Sequence, residues 1–425
     1  MRIGVTGNQP LRGTYIPGGN SNATMAMIAA SLLTDQTVVL RGVPETTSVA
    51  VMLDVAAMLG AQVEREPETP ATVRLRTPAI TTRSLSRAMT AAKVGVILFL
   101  PALLVRRQHV HLEVDYPVSR LHTHLTALRD LGCGVTIDGG SLELRFVPWE
   151  YREIILMQAS VTATALIAML AAAQPGQTVI HNAATEPHVC DLLTMLSAMG
   201  ATVEGLGSNL LRIRGCPAGL GGTEQTIAPD HIEVASVAAF AALTGGRLTV
   251  DGVRSADLRM IAKVYARLGL RLDLDDGHLY VPRHEDFAIS SRDEEVDVSI
   301  ETAPWPGFPS DLVAVATLIA TQAQGTILIH EKLFRDRMLF VDKLKGFGAQ
   351  IVLCDPHRAV VVGRTRLRAD YLDTPDVRTG LGLLGAALCA EGETIIDGAE
   401  MFEWNFGDVL RRLEVIGAQI RVLSR

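Results

Sequence analysis

Six times along the chain an apolar stretch with helical spacing runs into a glycine and then into a short run of alternating apolar and polar residues. The copies read Met58-Leu-Gly60-Ala-Gln-Val-Glu, Asp130-Leu-Gly132-Cys-Gly-Val-Thr, Ala198-Met-Gly200-Ala-Thr-Val-Glu, Arg267-Leu-Gly269-Leu-Arg-Leu-Asp, Gly346-Phe-Gly348-Ala-Gln-Ile and Val415-Ile-Gly417-Ala-Gln-Ile. Successive glycines lie 72, 68, 69, 79 and 69 residues apart. A second strand-like run precedes each of them, starting at Thr37, His109, Thr178, Leu248, Thr326 and Thr394, always 21 to 23 residues upstream. Two landmarks that keep register through six copies mark an internal repeat.

The pattern predicts one unit: a helix, a short strand, a second helix of about 12 residues, a glycine with positive φ that lets the chain leave the helix, and another strand. Such a unit leaves its helices with an apolar face to cover, so copies must pack on one another. Six copies divide into three and three, which predicts an α/β chain of two lobes. One lobe is expected over 21–228 and the other over 1–20 plus 229–425, with a cleft between them and the seam near the glycine-rich Pro217–Gly222.

The same frame places the first helix of each copy near Asn22, Lys93, Ser160, Asp230, Asp311 and Arg378. Ser, Asp and Asn there can simply cap helices, at about 1 kcal/mol each. A sharper reading has the helix N-termini converge with free N–H groups and positive dipole ends, ready for phosphate or carboxylate. Lys93 and Arg378 favour the second reading, because a cation at a helix N-terminus opposes the dipole unless an anion binds beside it.

Composition narrows the class. The 425 residues suggest about two to four domains. Hydrophobic residues make up 48% and charged residues 20%, which excludes a disordered chain, and at 4% aromatics the core must be aliphatic. A net charge of −7 lacks the basic excess that nucleic-acid binding needs. Five cysteines with no C-x-x-C pair suggest neither a disulfide framework nor a zinc knuckle, and free thiols fit a reducing cytoplasm. The longest apolar run, 12 residues from Val94 to Val105, contains Pro101 and is too short to span a membrane; the start of the chain lacks a signal peptide's apolar region.

Asp230-His-Ile-Glu233, the motif Thr302–Asp311, Phe334-Arg-Asp-Arg337-Met and Gly392-Glu-Thr-Ile-Ile-Asp397 resemble the UDP-N-acetylglucosamine 1-carboxyvinyltransferases, a family of enolpyruvyl transferases, essentially end to end. The related enolpyruvylshikimate phosphate synthases share the fold, but Glu186-Pro-His-Val-Cys-Asp-Leu and the Thr302–Asp311 motif look like the nucleotide-sugar branch. The resemblance implies an inside-out α/β barrel, two lobes of three repeats each. It also implies transfer of enolpyruvyl from phosphoenolpyruvate to a sugar hydroxyl by addition and then elimination of phosphate, a step in peptidoglycan synthesis that uses no cofactor and no metal.

Carried over by position, Asp311 matches the family's carboxylate beside the accepting hydroxyl. Asn22, Lys93, Ser160, Val161 and Leu333 match nucleotide-sugar contacts, and Asp230 belongs to the shared cleft motif. The segment Pro117-Val118-Ser-Arg120-Leu121 resembles the one that sandwiches uracil, with Arg120, two residues late, as the candidate to replace a family arginine. Arg337 and Arg378 match two cleft arginines. The expected partners are therefore phosphoenolpyruvate and a nucleotide-sugar.

Several positions depart from the family. Ser21 stands where a lysine holds phosphoenolpyruvate, and Trp404 where a C-terminal arginine grips it. Gln158 replaces a lysine, and Thr162 replaces the glycine after Ser160-Val161. Only Glu113–Tyr116 separates Leu112 from Pro117, so the mobile loop and its catalytic cysteine have no room, and Asp115 becomes the candidate for a relocated acid. The acid and two cations so removed are each worth roughly 3 kcal/mol of transition-state stabilisation, which predicts slow turnover of the family's usual substrates.

Three other signals are read as structural. Gly380-Leu-Gly382-Leu-Leu-Gly385 fits a dinucleotide-loop pattern but falls inside a repeat helix, where glycine serves packing. His109, His111, His122 and His124 are close enough in sequence to suggest a metal, yet His124 should start a helix. Arg83, Arg87, Arg106 and Arg107 read as a solvated basic face.

Overall fold

All six repeat glycines take a positive φ, from +81° at Gly269 to +114° at Gly200. A side chain with a Cβ is strained in that region, so glycine is what lets the second helix of each copy turn into the following strand. The computed structural model describes every residue except 92, 93, 291–298, 374–378 and 425. Lys93 and Arg378 thus lie outside the described residues.

The six sheets share one topology. In the first copy the central strand Val38–Arg41 pairs antiparallel with Val73–Arg76, which forms a hairpin with Gln62–Arg65; a parallel edge strand, Thr223–Thr226, closes the other side. The central strands of the other copies are His109–Glu113, Gln177–His181, Arg247–Val253, Gly325–His330 and Glu393–Ile396, at the positions the repeat predicts. These are six separate four-stranded sheets, and no single closed barrel of strands is formed among the described residues.

Three strands are borrowed from distant parts of the chain. Arg2–Thr6 fills the interior position of the sixth sheet, between Glu393–Ile396 and Gln419–Ser424. Arg12–Tyr15 is the parallel edge of the fourth sheet, beside Arg247–Val253. Thr223–Thr226 does the same for the first. The chain accordingly divides into two compact units, one of Met1–Gly18 with Pro229–Arg425 and one of Gly19–Ala228, each with its own aliphatic core. Pro217–Gly222 is not the seam, because the strand just after it belongs to the first sheet.

Each unit is built around its repeat helices. Val161–Ala172 and Gly380–Cys389 carry no charged residue and are buried on every side, as expected for helices that other elements surround. The sheets are one-sided instead, with alternation such as buried Leu75 beside exposed Arg74 and Arg76. Several of the described helices do not begin as regular α-helices. Val94–Phe99 precedes Leu100–Arg107, and Ser310–Leu312 precedes Val313–Gln322, as tighter 3-10 turns.

Gly380–Cys389 packs against Val313–Gln322 and His231–Leu243. A Cβ on Gly382 would sit 2.6 Å from Ala314 Cβ, and one on Gly385 2.3 Å from the Phe240 ring. The glycine pattern is therefore a close helix crossing, as read from the repeat frame. Arg106 does not behave as a solvated cation: it is half-buried, and its guanidinium donates to the carbonyls of Leu32, Thr34, Thr77 and Pro78. It ties the segment after the helix Ser21–Ser31 to Thr77 and Pro78. No described helix is long and apolar enough to cross a membrane.

Candidate functional site

In the unit that contains both chain ends, Asp311 sits in the 3-10 turn Ser310–Leu312 at the head of Val313–Gln322. Arg337 Nη1 donates to Asp311 Oδ1 at 2.6 Å and to Ser310 Oγ at 2.9 Å. The Arg337 side chain is 10% exposed and that of Asp311 45%, so the cation is embedded while the carboxylate faces outward. The guanidinium also lies 4.3 Å above the Phe334 ring centre, a cation–π contact. Leu333 is exposed, and its backbone N–H is already taken by Glu331 Oε1 at 2.8 Å.

Asp230 caps the helix His231–Leu243, accepting from the N–H of Ile232 at 2.9 Å and of Glu233 at 3.2 Å. Burial, helped by the nearby carboxylates of Glu233 and Asp311, pushes its pKa up to about 7. The folded protein thus holds this proton more tightly than the unfolded chain does. The stability so gained is complete below about pH 4 and is lost as pH rises through about 7. Asp230→Asn keeps a capping oxygen and carries no charge. It should therefore melt higher than the parent at pH 8.5 and level with it at pH 4.5, in thermal unfolding followed by circular dichroism. A gap independent of pH would refute the assignment.

A second buried carboxylate, Glu233, lies one helical turn on. It accepts from Tyr15 Oη at 2.6 Å and from the Gly18 N–H at 3.1 Å, and Arg412 Nη2 reaches both its oxygens at 2.9 and 3.0 Å. Arg412 also donates to the Phe406 carbonyl and pairs with Asp408. It thereby anchors the chain next to the helix Glu400–Phe406, where half-buried Trp404 stands.

In the unit Gly19–Ala228 the expected contacts form two groups. Val118, Arg120 and Leu121 share the 3-10 turn Val118–Leu121, which Pro117 precedes, and Pro117 and Arg120 are exposed. Leu121 is 1% exposed and packs in the core, so its side chain is not available to a ligand. Ser160 caps the helix Val161–Ala172 by accepting from the Ala163 N–H. The first turn of that helix is joined to His122–Asp130 by a 2.7 Å bond between His124 Nε2 and Thr162 Oγ1. Burial drives the His124 pKa down to about 4, so the ring is neutral at physiological pH.

Asn22 is exposed in the first turn of Ser21–Ser31, and the cap is Asn20, two residues earlier. Ser21 is buried, with its hydroxyl 3.2 Å from that of Thr46. Asp115 is exposed. His109 and His111 share one strand face and both reach Glu143 on the neighbouring strand, at 2.9 and 2.6 Å. Among the described residues no three His, Cys, Asp or Glu side chains form a metal-binding group.

Residues 5–413 match the family model described as EPSP synthase (3-phosphoshikimate 1-carboxyvinyltransferase). The UDP-N-acetylglucosamine 1-carboxyvinyltransferase of Treponema denticola is 38% identical over 427 aligned positions, spanning 99% of each chain. The chain belongs to the enolpyruvyl transferase family. The carboxyvinyltransferase of Borreliella burgdorferi is likewise 38% identical, over 98% of each chain. Among solved structures, the enolpyruvyl transferase NikO from Streptomyces tendae superposes with a TM-score of 0.87 over 99% of this chain and 98% of its own, at 21% identity. EPSP synthase from Acinetobacter baumannii reaches 0.77 at 16% identity, over 99% of this chain and 100% of its own. At these identities the two structures establish the shared fold.

Proposed function

We propose that this chain transfers enolpyruvyl from phosphoenolpyruvate to a hydroxyl of UDP-N-acetylglucosamine or a related nucleotide-type acceptor. The observation that carries the reading is Asp311, an outward-facing carboxylate held at 2.6 Å by the embedded Arg337. Family membership supports it, as do near full-length relatives whose names specify that acceptor. We take the six repeats, with helices apolar on every face, as the family's inside-out α/β barrel. Five cysteines with no C-x-x-C pair, as read from the sequence, support a cytoplasmic setting.

In this scheme Asp311 takes the acceptor's hydroxyl proton while the oxygen attacks C2 of phosphoenolpyruvate and a general acid, for which Asp115 is this chain's candidate, gives a proton to C3. The conjugate base of that acid then takes a proton back from C3, and phosphate departs with the proton held on Asp311, which restores the double bond. Asn22, Lys93, Ser160, Val161, Leu333 and the turn around Pro117, Val118 and Arg120 serve the nucleotide-sugar, and Asp230, Arg337 and Arg378 serve the substrates.

A second reading, nucleotide-sugar binding without turnover, draws on Ser21 and Trp404. The first is a buried hydroxyl and the second an indole, and neither supplies the cation that phosphoenolpyruvate would need. Phosphate release from phosphoenolpyruvate, measured with and without UDP-N-acetylglucosamine, separates the two. Release that requires the acceptor supports transfer, and calorimetric binding of the acceptor without release supports the binding role.

A further inference from the structure

Glu331 lies between the strand Gly325–His330 and the turn Arg335–Met338, and it is fully buried. A carboxylate in such a place is costly unless its oxygens are hydrogen-bonded. Three donors meet it: Ser310 Oγ on Oε2 at 2.5 Å, and the backbone N–H groups of Leu333 and Phe334 on Oε1 at 2.8 and 3.1 Å. None of them is a cation.

The directions of these bonds follow from what each group can do. A carboxylate only accepts, so Ser310 gives its single hydroxyl proton to Glu331 and has lone pairs left. A guanidinium only donates, and Arg337 Nη1 fills one of those lone pairs at 2.9 Å. The other hydrogen on the same nitrogen goes to Asp311 Oδ1 at 2.6 Å. The Phe334 ring under the guanidinium is held as well, because its own N–H ends on Glu331.

We infer that Glu331 is a positioning residue: through Ser310 it sets the donor direction of Arg337, and through Arg337 the orientation of the Asp311 carboxylate. Glu331 does not itself reach Asp311. The inference deepens the transfer reading and, for its kinetic consequence, rests on it.

Glu331→Gln is the informative variant. It keeps size and one accepting oxygen for the Leu333 and Phe334 N–H groups, but it turns an amide NH₂ toward Ser310, whose proton then has no acceptor. The variant should fold, with kcat lowered about tenfold or more and KM for the acceptor within about threefold, because misorientation of a base acts on the transition state. Ser310→Ala should reproduce that split. Combining the two should add nothing further, since they break the same chain of bonds.

A readout free of turnover is the coupling between Arg337→Met and Asp311→Ala in thermal unfolding, measured as a double-mutant cycle in the parent and in the Glu331→Gln background. The coupling should shrink by at least half in that background. Should Glu331→Gln fail to fold, the same cycle in Ser310→Ala carries the test. An unchanged coupling overturns the inference even if the protein turns over. A reduced coupling in a protein that releases no phosphate upholds the positioning role and rejects the transfer reading instead.

Discussion

Asp311→Asn should lower acceptor-dependent phosphate release by about 10² to 10⁴-fold, the range expected when a positioned general base is removed. Asparagine keeps an oxygen for Arg337 Nη1, so the 2.6 Å contact and the turn Ser310–Leu312 have a near-isosteric replacement. What is lost is the ability to accept the hydroxyl proton. Acceptor affinity by calorimetry should change little, and the melting temperature should stay within a few degrees. Retention of more than about a third of the parent rate would remove Asp311 from the base role and leave the proton to another group.

Arg412→Met should cost about 3 to 5 kcal/mol of stability, the usual result of leaving one charge of a buried pair without its partner. Glu233 is only 1% exposed, and once Arg412 is gone its remaining donors are the Tyr15 hydroxyl and the Gly18 N–H. Burial already raises the Glu233 pKa against the opposing pull of Arg412. Without the cation that rise must grow, so protonation should relieve the variant as pH falls. Urea unfolding should show a larger deficit at pH 8 than at pH 5, and Glu233→Gln added to Arg412→Met should recover part of it. A deficit equal at both pH values would mean that the loss comes from packing of the arginine stem.

The repeat was legible because it rests on local chemistry. A glycine at Gly60, Gly132, Gly200, Gly269, Gly348 or Gly417 announces a positive φ wherever the chain is headed, and a β-branched run beside it announces a strand. Asp230 and Ser160 were legible as caps for the same reason. What escaped depends on partners far away in sequence. Glu331 stands between His330 and Lys332 and reads as one more surface charge, yet it is fully buried against the turns on either side of it. Arg106 looked like part of a basic face, but its four carbonyl partners come from Leu32, Thr34, Thr77 and Pro78, about 30 to 70 positions earlier in the chain. Leu121 sits in a segment that reads as a binding turn, and its neighbours in the core decide otherwise.

The borrowed strands also set an order of events during synthesis. Gly19–Ala228 contains every strand of its three sheets, so it can fold while the ribosome is still making the remainder. The opening segment has no such option. Arg12–Tyr15 waits for Arg247–Val253, and Arg2–Thr6 waits for Glu393–Ile396 and Gln419–Ser424, which are made much later. A strand translated early is thus sealed late, and a nascent chain stalled before the sixth repeat would expose an unsatisfied strand to chaperones and proteases.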